Sequence, residues 1–369
     1  MCSELADSIN SKEKPLSHLR VAFTAIDLEQ AEHRGIAYLS KALISSLSDL
    51  GAEVYLITGF YGRRLNPLMK FSMSAQSVRE VDCADILDQF SGTKNQLKKI
   101  KSKSETVFEE DLITTFFKKV IDLKNGSKQT IKLLLSVLRF YICRGKFSGR
   151  LINLYNYENS PYFGQERVNY LSKISGFLSI RDIFNFTNLR SKRLLFKAPS
   201  IDLRKSNIDL LITSCPLSID VITQTKSSSR CLQLIMDFIP LSFSKHPDHP
   251  FDFYNRLKDA MRTKSCFISK ESRDKIHLLL EKPSLDHYKN IIYPMPSLNI
   301  NKLKLASRVE NLRGLNKKII LFNSSVVPRK NLHFLINIFQ SSAIANKGFD
   351  LCIAGKIHND KYGESIEKM

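Results

Sequence analysis

The amino-acid sequence predicts an α/β protein with two domains, the second of them incomplete. Three observations predict this class. A strand, a polar loop, a helix and a second strand follow one another within 19–58, the alternation resumes near residue 207, and it begins again near residue 317. A strand–helix–strand unit of this length is a right-handed crossover between parallel strands, so we expect parallel sheets.

The first unit is the clearest. The apolar run Leu19–Ala25 predicts a short buried strand, and residues 26–34 form a polar loop with Asp27, Glu29, Glu32 and His33. Gly35 then opens a segment with the apolar spacing of a helix, and Gly51 stands where a glycine ends one. The run Glu53–Thr58 predicts the second strand. The apolar positions of the helix are Ile36, Leu39, Leu43, Leu47 and Leu50.

The alternation continues in the rest of the first domain, which we place at 1–295. Strands are predicted at 207–213, 230–237, 265–269 and 290–293, with a short helix between the first two, a helix over 252–263 and another from Glu271. Between about 60 and 200 the alternation fails, and basic, Leu- and Phe-rich stretches such as Thr130–Tyr141 indicate helices. We interpret 60–200 as an insertion or a helical cap on this domain.

The second domain follows a linker at 296–316, which Pro294 and Pro296 introduce. Strands are predicted at Lys317–Asn323 and Asp350–Gly355, with a helix over Asn331–Phe339 between them. Two parallel strands and one long helix cannot cover both faces of a sheet. We therefore expect 317–369 to be the incomplete start of a domain.

The charge balance is unusual. Lys and Arg number 56 against 36 acids, a net charge of +20, and residues 91–200 hold 21 basic and 8 acidic side chains. Such a surface attracts nucleic acid or an anionic membrane face, although it is also compatible with a solvated helical face. The Leu- and Phe-rich stretch at 130–141 could lie on a membrane or pack against the sheet.

Composition also bears on location. No stretch of the sequence approaches the ~18 apolar residues of a spanning helix, and the first twenty residues lack the apolar core of a leader. The seven cysteines are scattered without a CxxC pair, which predicts reduced thiols in the cytoplasm.

Two segments are candidate anion sites. Gly35 begins a helix directly after a strand and loop, where a backbone can approach an anion closely, or where the glycine serves a tight turn only. Arg329 and Lys330 follow Pro328 in the equivalent place of the second domain. A helix dipole disfavours cations there, so they indicate a bound diphosphate, or are two solvated side chains.

At these residues the sequence resembles a family. The stretch 35–58, GIAYLSKALISSLSDLGAEVYLIT, resembles the first βαβ unit of the GT-B "group 1" glycosyltransferases of family 4. VVPRKNLHFLINIF followed by LCIAGK resembles the start of their donor domain, and PRKN is the most specific part. MDFIPLSF, 236–243, resembles their His-Asp-x-x-Pro segment, with Met236 in place of the histidine.

The resemblance implies two Rossmann-like domains and a retaining, hexosyltransferase-type transfer from a nucleotide-sugar to a saccharide or lipid-linked acceptor, without metal or cofactor. Arg329 and Lys330 would bind the donor diphosphate, and Gly35 would bring backbone N–H groups near it. Asp237 would lie near the reacting sugar. We expect polysaccharide synthesis at the inner membrane face, without nucleic acid.

The sequence also departs from the family. The Glu-x7-Glu element of the donor domain has no counterpart, because the only glutamates after Lys330 are Glu364 and Glu367. The glycine usual near 323–325 is absent. These departures predict a member truncated within its donor domain.

Other interpretations remain open. His246, Asp248 and His249 form a loop that is a weak metal candidate, and Ser214-Cys215-Pro216 suggests a nucleophile or a buried structural cysteine. The competing class of function is a basic α/β module that binds nucleotide or nucleic acid without catalysis. The absence of an RRM-like aromatic and basic pattern counts against nucleic acid.

Overall fold

The fold is taken from a computed structural model. It describes residues 14–24, 26–30, 33, 35–62, 72–92, 133–154, 157–222, 230–242, 249–280, 318–357 and 361–369. The contacts within the chain divide it into two compact units, Met1–Leu298 and Asn299–Met369, here called unit 1 and unit 2.

Unit 1 contains a seven-stranded sheet of order β10-β9-β7-β1-β2-β5-β4 and a small parallel sheet of order β3-β6-β8. All neighbours in the large sheet are parallel except β4 and β5. The strands are β1 Arg20–Thr24, β2 Glu53–Thr58, β3 Lys146–Ser148, β4 Arg150–Asn153, β5 Gly176–Ser179, β6 Ser200–Asp202, β7 Leu210–Thr213, β8 Asp220–Ile222, β9 Cys231–Ile235 and β10 Lys264–Phe267.

The helices of unit 1 pack on both faces of the large sheet. A further helix covers 133–142. The labelled helices are α1 Gly35–Asp49, α2 Ala75–Ser91, α3 Ile183–Ser191, the single turn α4 Ile239–Ser242, α5 Pro250–Ala260 and α6 Lys270–Leu280.

Two apolar clusters, one on each face of the sheet, explain why its strands are almost continuously hydrophobic. In β1, Val21 and Phe23 belong to the cluster beneath α1 and α2, and Ala22 belongs to the cluster beneath α3 and 133–142. Parallel sheets covered on both faces require this composition. Burial of both faces makes β1 the centre of the unit.

Several predictions from the sequence are confirmed. The first strand, helix and second strand are β1, α1 and β2, and Gly51 takes a positive φ of 101° just after α1. The predicted strands at 207–213, 230–237 and 265–269 are β7, β9 and β10, and the predicted helices near 252 and 271 are α5 and α6. The segment 290–293 and the linker 296–316 lie outside the described residues.

The expected helical insertion at 60–200 is wrong in part. The described residues of this region include α2, α3 and the helix 133–142, but also β3, β4, β5 and β6. β5 pairs in parallel with β2, and β4 forms the antiparallel edge, so the region completes the sheet. These strands could not be predicted from the sequence because they are only three or four residues long. Between β7 and β9, where a short helix is expected, residues 214–222 contain β8 and no helix, and residues 223–229 lie outside the described residues.

Unit 2 contains a parallel pair, β11 Lys318–Asn323 and β12 Phe349–Ala354, as the sequence predicts. Helix α7, Leu332–Ser341, connects the strands, and α8 is Lys361–Glu367. A small core packs between these elements. Its buried residues are Val326, Leu332, Ile336 and Ile366.

Among the described residues, no helix has both the length and the apolar character needed to cross a membrane. Of the six described cysteines, Cys83, Cys231 and Cys266 are buried and the other three are half-buried, and no two of the six form a disulfide.

Candidate functional site

The carboxyl ends of the strands in unit 1 form the candidate site. From β1 the chain first adds β2 and β5 on one side of the sheet, and later adds β7, β9 and β10 on the other. The reversal occurs between β1 and β7, where connections leave toward opposite faces and open a crevice. Sheets of this order bind ligands in that crevice, outside the carboxyl ends of the strands.

Asp27 lies at this switch point. It belongs to a 3-10 turn, Ile26–Glu29, that directly follows β1. Its carboxylate accepts a hydrogen bond from the hydroxyl of Ser214 after β7, at 2.7 Å, and another from Ser40 on α1, at 3.0 Å. Burial raises the pKa of Asp27, while the two hydroxyl donors oppose the shift. The carboxylate therefore connects the loop after β1 with the end of β7 and with α1 by hydrogen bonds.

Glu29 lies in the same turn and faces the end of β2. Its Oε1 accepts hydrogen bonds from the Thr58 hydroxyl at 2.6 Å and from the Gly59 amide at 2.9 Å. Burial raises the pKa of Glu29 to about 7, against the lowering effect of these two donors. A carboxyl group with this pKa can hold or release a proton near neutral pH.

Gly35 lies at the first position of α1, near the switch point in the chain. Its φ is not positive, so the backbone conformation alone does not require glycine. A Cβ placed on Gly35 would meet no atom of the described residues within 4 Å. No atom in the described part of the chain therefore explains the choice of glycine.

Asp237 lies just after β9, two strands from β1 in the sheet. Its Oδ1 accepts a hydrogen bond from the Ile239 amide at 3.1 Å, which caps the turn α4. Asp237 is half-buried, and it follows the carboxyl end of its strand as Asp27 follows that of β1. The structure thus gives Asp237 a capping role, compatible with a second role toward a ligand.

Arg329 and Lys330 lie in unit 2, in a 3-10 turn, Pro328–Lys330, between β11 and α7. Both side chains are exposed. Among the described residues, neither forms an ion pair or a side-chain hydrogen bond. Asn331, in the left-handed region at φ 49°, follows them and begins α7 without a side-chain cap. Two free cations therefore stand directly before the amino end of a helix.

The weaker candidates have structural explanations or lie outside the described residues. The Ser214 hydroxyl donates to Asp27. The carbonyl of half-buried Cys215 accepts a hydrogen bond from Thr213. His246 and Asp248 are not described, and His249 directly precedes α5. Within the described ranges, no three His, Cys, Asp or Glu side chains cluster as metal ligands.

Sequence reasoning noted Asp27 and Glu29 only as members of a polar loop and gave neither a role. The available signal was their position directly after a buried strand, because the loops at the carboxyl ends of parallel strands carry ligand sites. Ser214 lies 187 residues from Asp27, and only the strand order brings the two together.

Comparisons of the chain with family models, with curated proteins and with solved structures give no match. The strand order and the crevice define a Rossmann-like member of the α/β class. The functional assignment must therefore be argued from the residues of this chain.

Proposed function

We propose that the chain is a GT-B-type glycosyltransferase, which takes a sugar from a nucleotide-sugar and passes it to a saccharide or lipid-linked acceptor. The carrying observation is the pair Arg329 and Lys330, exposed and without carboxylate partners in the described part of unit 2. A helix dipole disfavours cations at this position, and a diphosphate would compensate both charges.

Three further features support the proposal. Unit 1 has the strand order of a nucleotide- or ligand-binding α/β domain, and unit 2 contains a parallel β-α-β unit. No described residue fills the space beside Gly35, which supports room for a ligand at the start of α1. In this proposal the transfer retains the anomeric configuration and uses no metal, and the leaving diphosphate is stabilised by the two cations.

The first experiment measures binding of UDP and GDP by calorimetry. Arg329→Ala and Lys330→Ala should each lower the affinity for nucleotide by about 10-fold or more, because each removes a charge-assisted hydrogen bond to phosphate. The double variant should lose more affinity than either single variant. The loss should be smaller than the product of the two single fold-changes, because both side chains contact one anion. Lys347→Ala, an exposed lysine of the same unit, is the matched control.

The competing function is a basic module that binds nucleic acid. Thermal stabilisation by a generic oligonucleotide, with none by UDP or GDP, would support that function and refute ours. Unchanged nucleotide affinity in the Arg329/Lys330 double variant would refute the diphosphate assignment even if nucleotide binds.

Asp237→Asn tests the proposed role of Asp237 near the reacting sugar. Asparagine can cap α4 as aspartate does, so the variant removes the charge and keeps the turn. We expect unchanged thermal stability with at least ~10-fold lower sugar transfer, in line with the loss of one electrostatic contact in the transition state. Equal transfer rates would leave Asp237 with the capping role alone.

A peripheral attachment to anionic membranes completes the proposal. On the helix 133–142, six large apolar side chains are exposed, and Phe196 is 92% exposed in the same basic region of the sequence. The six are Leu133, Leu134, Leu135, Leu138, Tyr141 and Ile142. Apolar side chains within a basic segment fit the interface of an anionic bilayer.

Co-sedimentation with anionic vesicles should fall steeply with salt and vanish with neutral lipid, because Lys and Arg near such a surface contribute ~1 kcal/mol each. Replacing Leu138 and Ile142 by serine should weaken sedimentation at low salt. Salt-insensitive binding, or none at low salt, would favour the solvated-face interpretation.

A further inference from the structure

The turn between α3 and β6 presents an aromatic side chain to solvent. Phe196 has the largest exposed fraction of any large apolar side chain in the described part of the chain, and Leu194 on the same turn is 49% exposed. Leu195, between them, is buried in the cluster beneath α3 and 133–142. The turn therefore anchors one leucine in the interior and holds two apolar side chains outward.

The backbone of this turn is held by a buried ion pair. Arg190 of α3 donates through Nη1 to the carbonyls of Leu195 and Phe196, both at 2.9 Å. Its Nε donates to Oδ2 of Asp259 on α5 at 3.2 Å, and both side chains of this pair are buried. A buried pair of this kind is costly to break, because either charge alone would be left without compensation. The position of Phe196 is therefore fixed by the interior of unit 1.

A second turn lies against the first. It follows the helix 133–142, and the carbonyl of Arg144 in it accepts a hydrogen bond from Nζ of Lys197 at 2.6 Å. The two turns therefore form one surface, here called the tip, which consists of residues 141–148 and 192–197.

The tip is cationic as well as apolar. Its sequence contains five basic residues and no acid, and all five side chains are exposed. One of the five lies 3.9 Å from Asp259, and the other four have no carboxylate partner in the described part of the chain. An anionic bilayer complements such a surface, because its headgroups attract cations and its acyl region takes up apolar side chains. The five are Arg144, Lys146, Lys192, Arg193 and Lys197, with Arg193 nearest to Asp259.

The hydrogen bonds of the tip also lower the cost of entering a bilayer. A backbone carbonyl that leaves water without a partner is strongly unfavourable in a membrane. The carbonyls of Leu195 and Phe196 already accept from Arg190, and that of Arg144 accepts from Lys197. A turn that is fixed before binding also loses little conformational entropy on insertion.

We propose that Phe196 inserts into the bilayer when the chain attaches to an anionic membrane, with Leu194 beside it and the cations of the tip at the headgroups. This inference rests on the membrane attachment in the proposed function, and adds to it the residue that enters the bilayer and the surface that faces it. The side of the large sheet that carries α1 and α2 then faces away from the membrane.

The chain has no tryptophan, so Phe196→Trp introduces a single fluorescent reporter. With vesicles of phosphatidylglycerol and phosphatidylcholine, its emission should shift to shorter wavelength, and lipids brominated on their acyl chains should quench it. Phe163→Trp is the matched control. Phe163 is 51% exposed and its ring contacts that of Tyr157, which belongs to the cluster beneath α1 and α2 on the opposite face of the sheet. The control should show neither change.

Vesicle affinity gives a second measurement. Phe196→Ser should lower the affinity for these vesicles by about 10-fold or more, because removal of a phenylalanine ring from water contributes about this factor. Phe196→Leu should retain most of the affinity, and Phe163→Ser should leave it unchanged. Both positions are exposed, so an unchanged temperature of thermal unfolding will show that each variant is folded.

The outcomes separate this inference from the proposal on which it rests. Co-sedimentation without a spectral change in Phe196→Trp, an equal change in Phe163→Trp, or unchanged affinity of Phe196→Ser would overturn the insertion of Phe196 and leave the attachment standing. If the unsubstituted chain does not co-sediment with these vesicles at low salt, both the attachment and the insertion are refuted. The sugar transfer is tested independently, by the binding of UDP and GDP.

Discussion

Strands β2 and β11 have the same length and carry a leucine at the same position, but their surroundings differ. β2 lies between β1 and β5, and Leu56 is 1% exposed. β11 pairs with β12, no other described strand borders it, and Leu321 is 60% exposed. A hydrophobic pattern is therefore enough to specify a strand, while the neighbours of that strand decide how much the pattern stabilises.

Hydrogen exchange should show this difference most strongly. Backbone amides of β1, β2 and β7 should exchange near the rate of global unfolding, whereas those of β11 and β12 should exchange at least ~1,000-fold faster, because sparsely packed regions open locally at low free energy. Mass spectrometry of peptides from the two units measures the ratio. Similar protection in both units would remove the contrast between β2 and β11.

A matched pair of substitutions sharpens the same contrast. Leu56→Ala should lower the free energy of unfolding of unit 1 by ~2–5 kcal/mol, since it removes most of a buried side chain from the cluster beneath α1 and α2. Leu321→Ala should change the stability of unit 2 by less than ~0.5 kcal/mol, as exposed positions do. Urea unfolding of the two variants gives both values. Equal losses would show that Leu321 is covered in solution.

Glu29 makes the stability of unit 1 depend on pH. Its pKa is about 7 in the folded chain and about 4.5 in the unfolded chain, so the folded state keeps a proton that the unfolded state releases between these values. Glu29 therefore does not lower the free energy of unfolding below pH 4.5. It lowers this free energy progressively as the pH rises from 4.5 to 7, and by a constant amount above pH 7.

Glu29→Gln keeps an acceptor for Thr58 and Gly59 and removes the charge. It should raise the free energy of unfolding at pH 8 by ~3 kcal/mol, at 1.36 kcal/mol per pKa unit, and have little effect at pH 4. Glu80→Gln, at an exposed position, is the control substitution. A gain that is the same at pH 4 and pH 8 would contradict the burial argument for Glu29.

Two glycines with positive φ give the smallest contrast. A Cβ on Gly51, φ 101°, would lie 2.7 Å from the Cβ of Lys14, whereas a Cβ on Gly348, φ 79°, would meet no atom of the described residues within 4 Å. Gly51→Ala should therefore lower the free energy of unfolding by ~1–3 kcal/mol, because it adds both backbone strain and a close contact. Gly348→Ala adds only the backbone strain and should lower it by ~1 kcal/mol. Thermal unfolding compares the two, and a larger loss at Gly348 would refute this ranking.

How far the sequence predicts the structure depends on how local the signal is. The elements β1, α1, β2, β11, α7 and β12 could be predicted because each carries its own period and its own ending glycine or turn. β4 and β5 could not be predicted. The segment Gly176–Ser179 is too short to show a hydrophobic period. It is a strand because it pairs with β2, which its own sequence does not reveal.

The residues of the candidate sites also differ in whether a local sequence signal marks them. Arg329 and Lys330 could be singled out because a local rule, the helix dipole, makes them unexpected. The pairing of Asp27 with Ser214 depends on segments 187 residues apart. No local rule predicts such contacts, because the order of strands in the sheet determines them.

The parallel pairing of β1 with β7 has a consequence for synthesis of the chain on the ribosome. β1 and β2 emerge early, yet the strand that covers the other edge of β1 ends only at Thr213. At ~5–20 residues per second, the roughly 150 intervening residues need on the order of 10–30 s. During that interval the first β-α-β unit exposes an apolar strand edge to the nascent chains of neighbouring ribosomes. We expect chaperones that recognise extended apolar segments to bind Val21–Phe23 until β7 has been made.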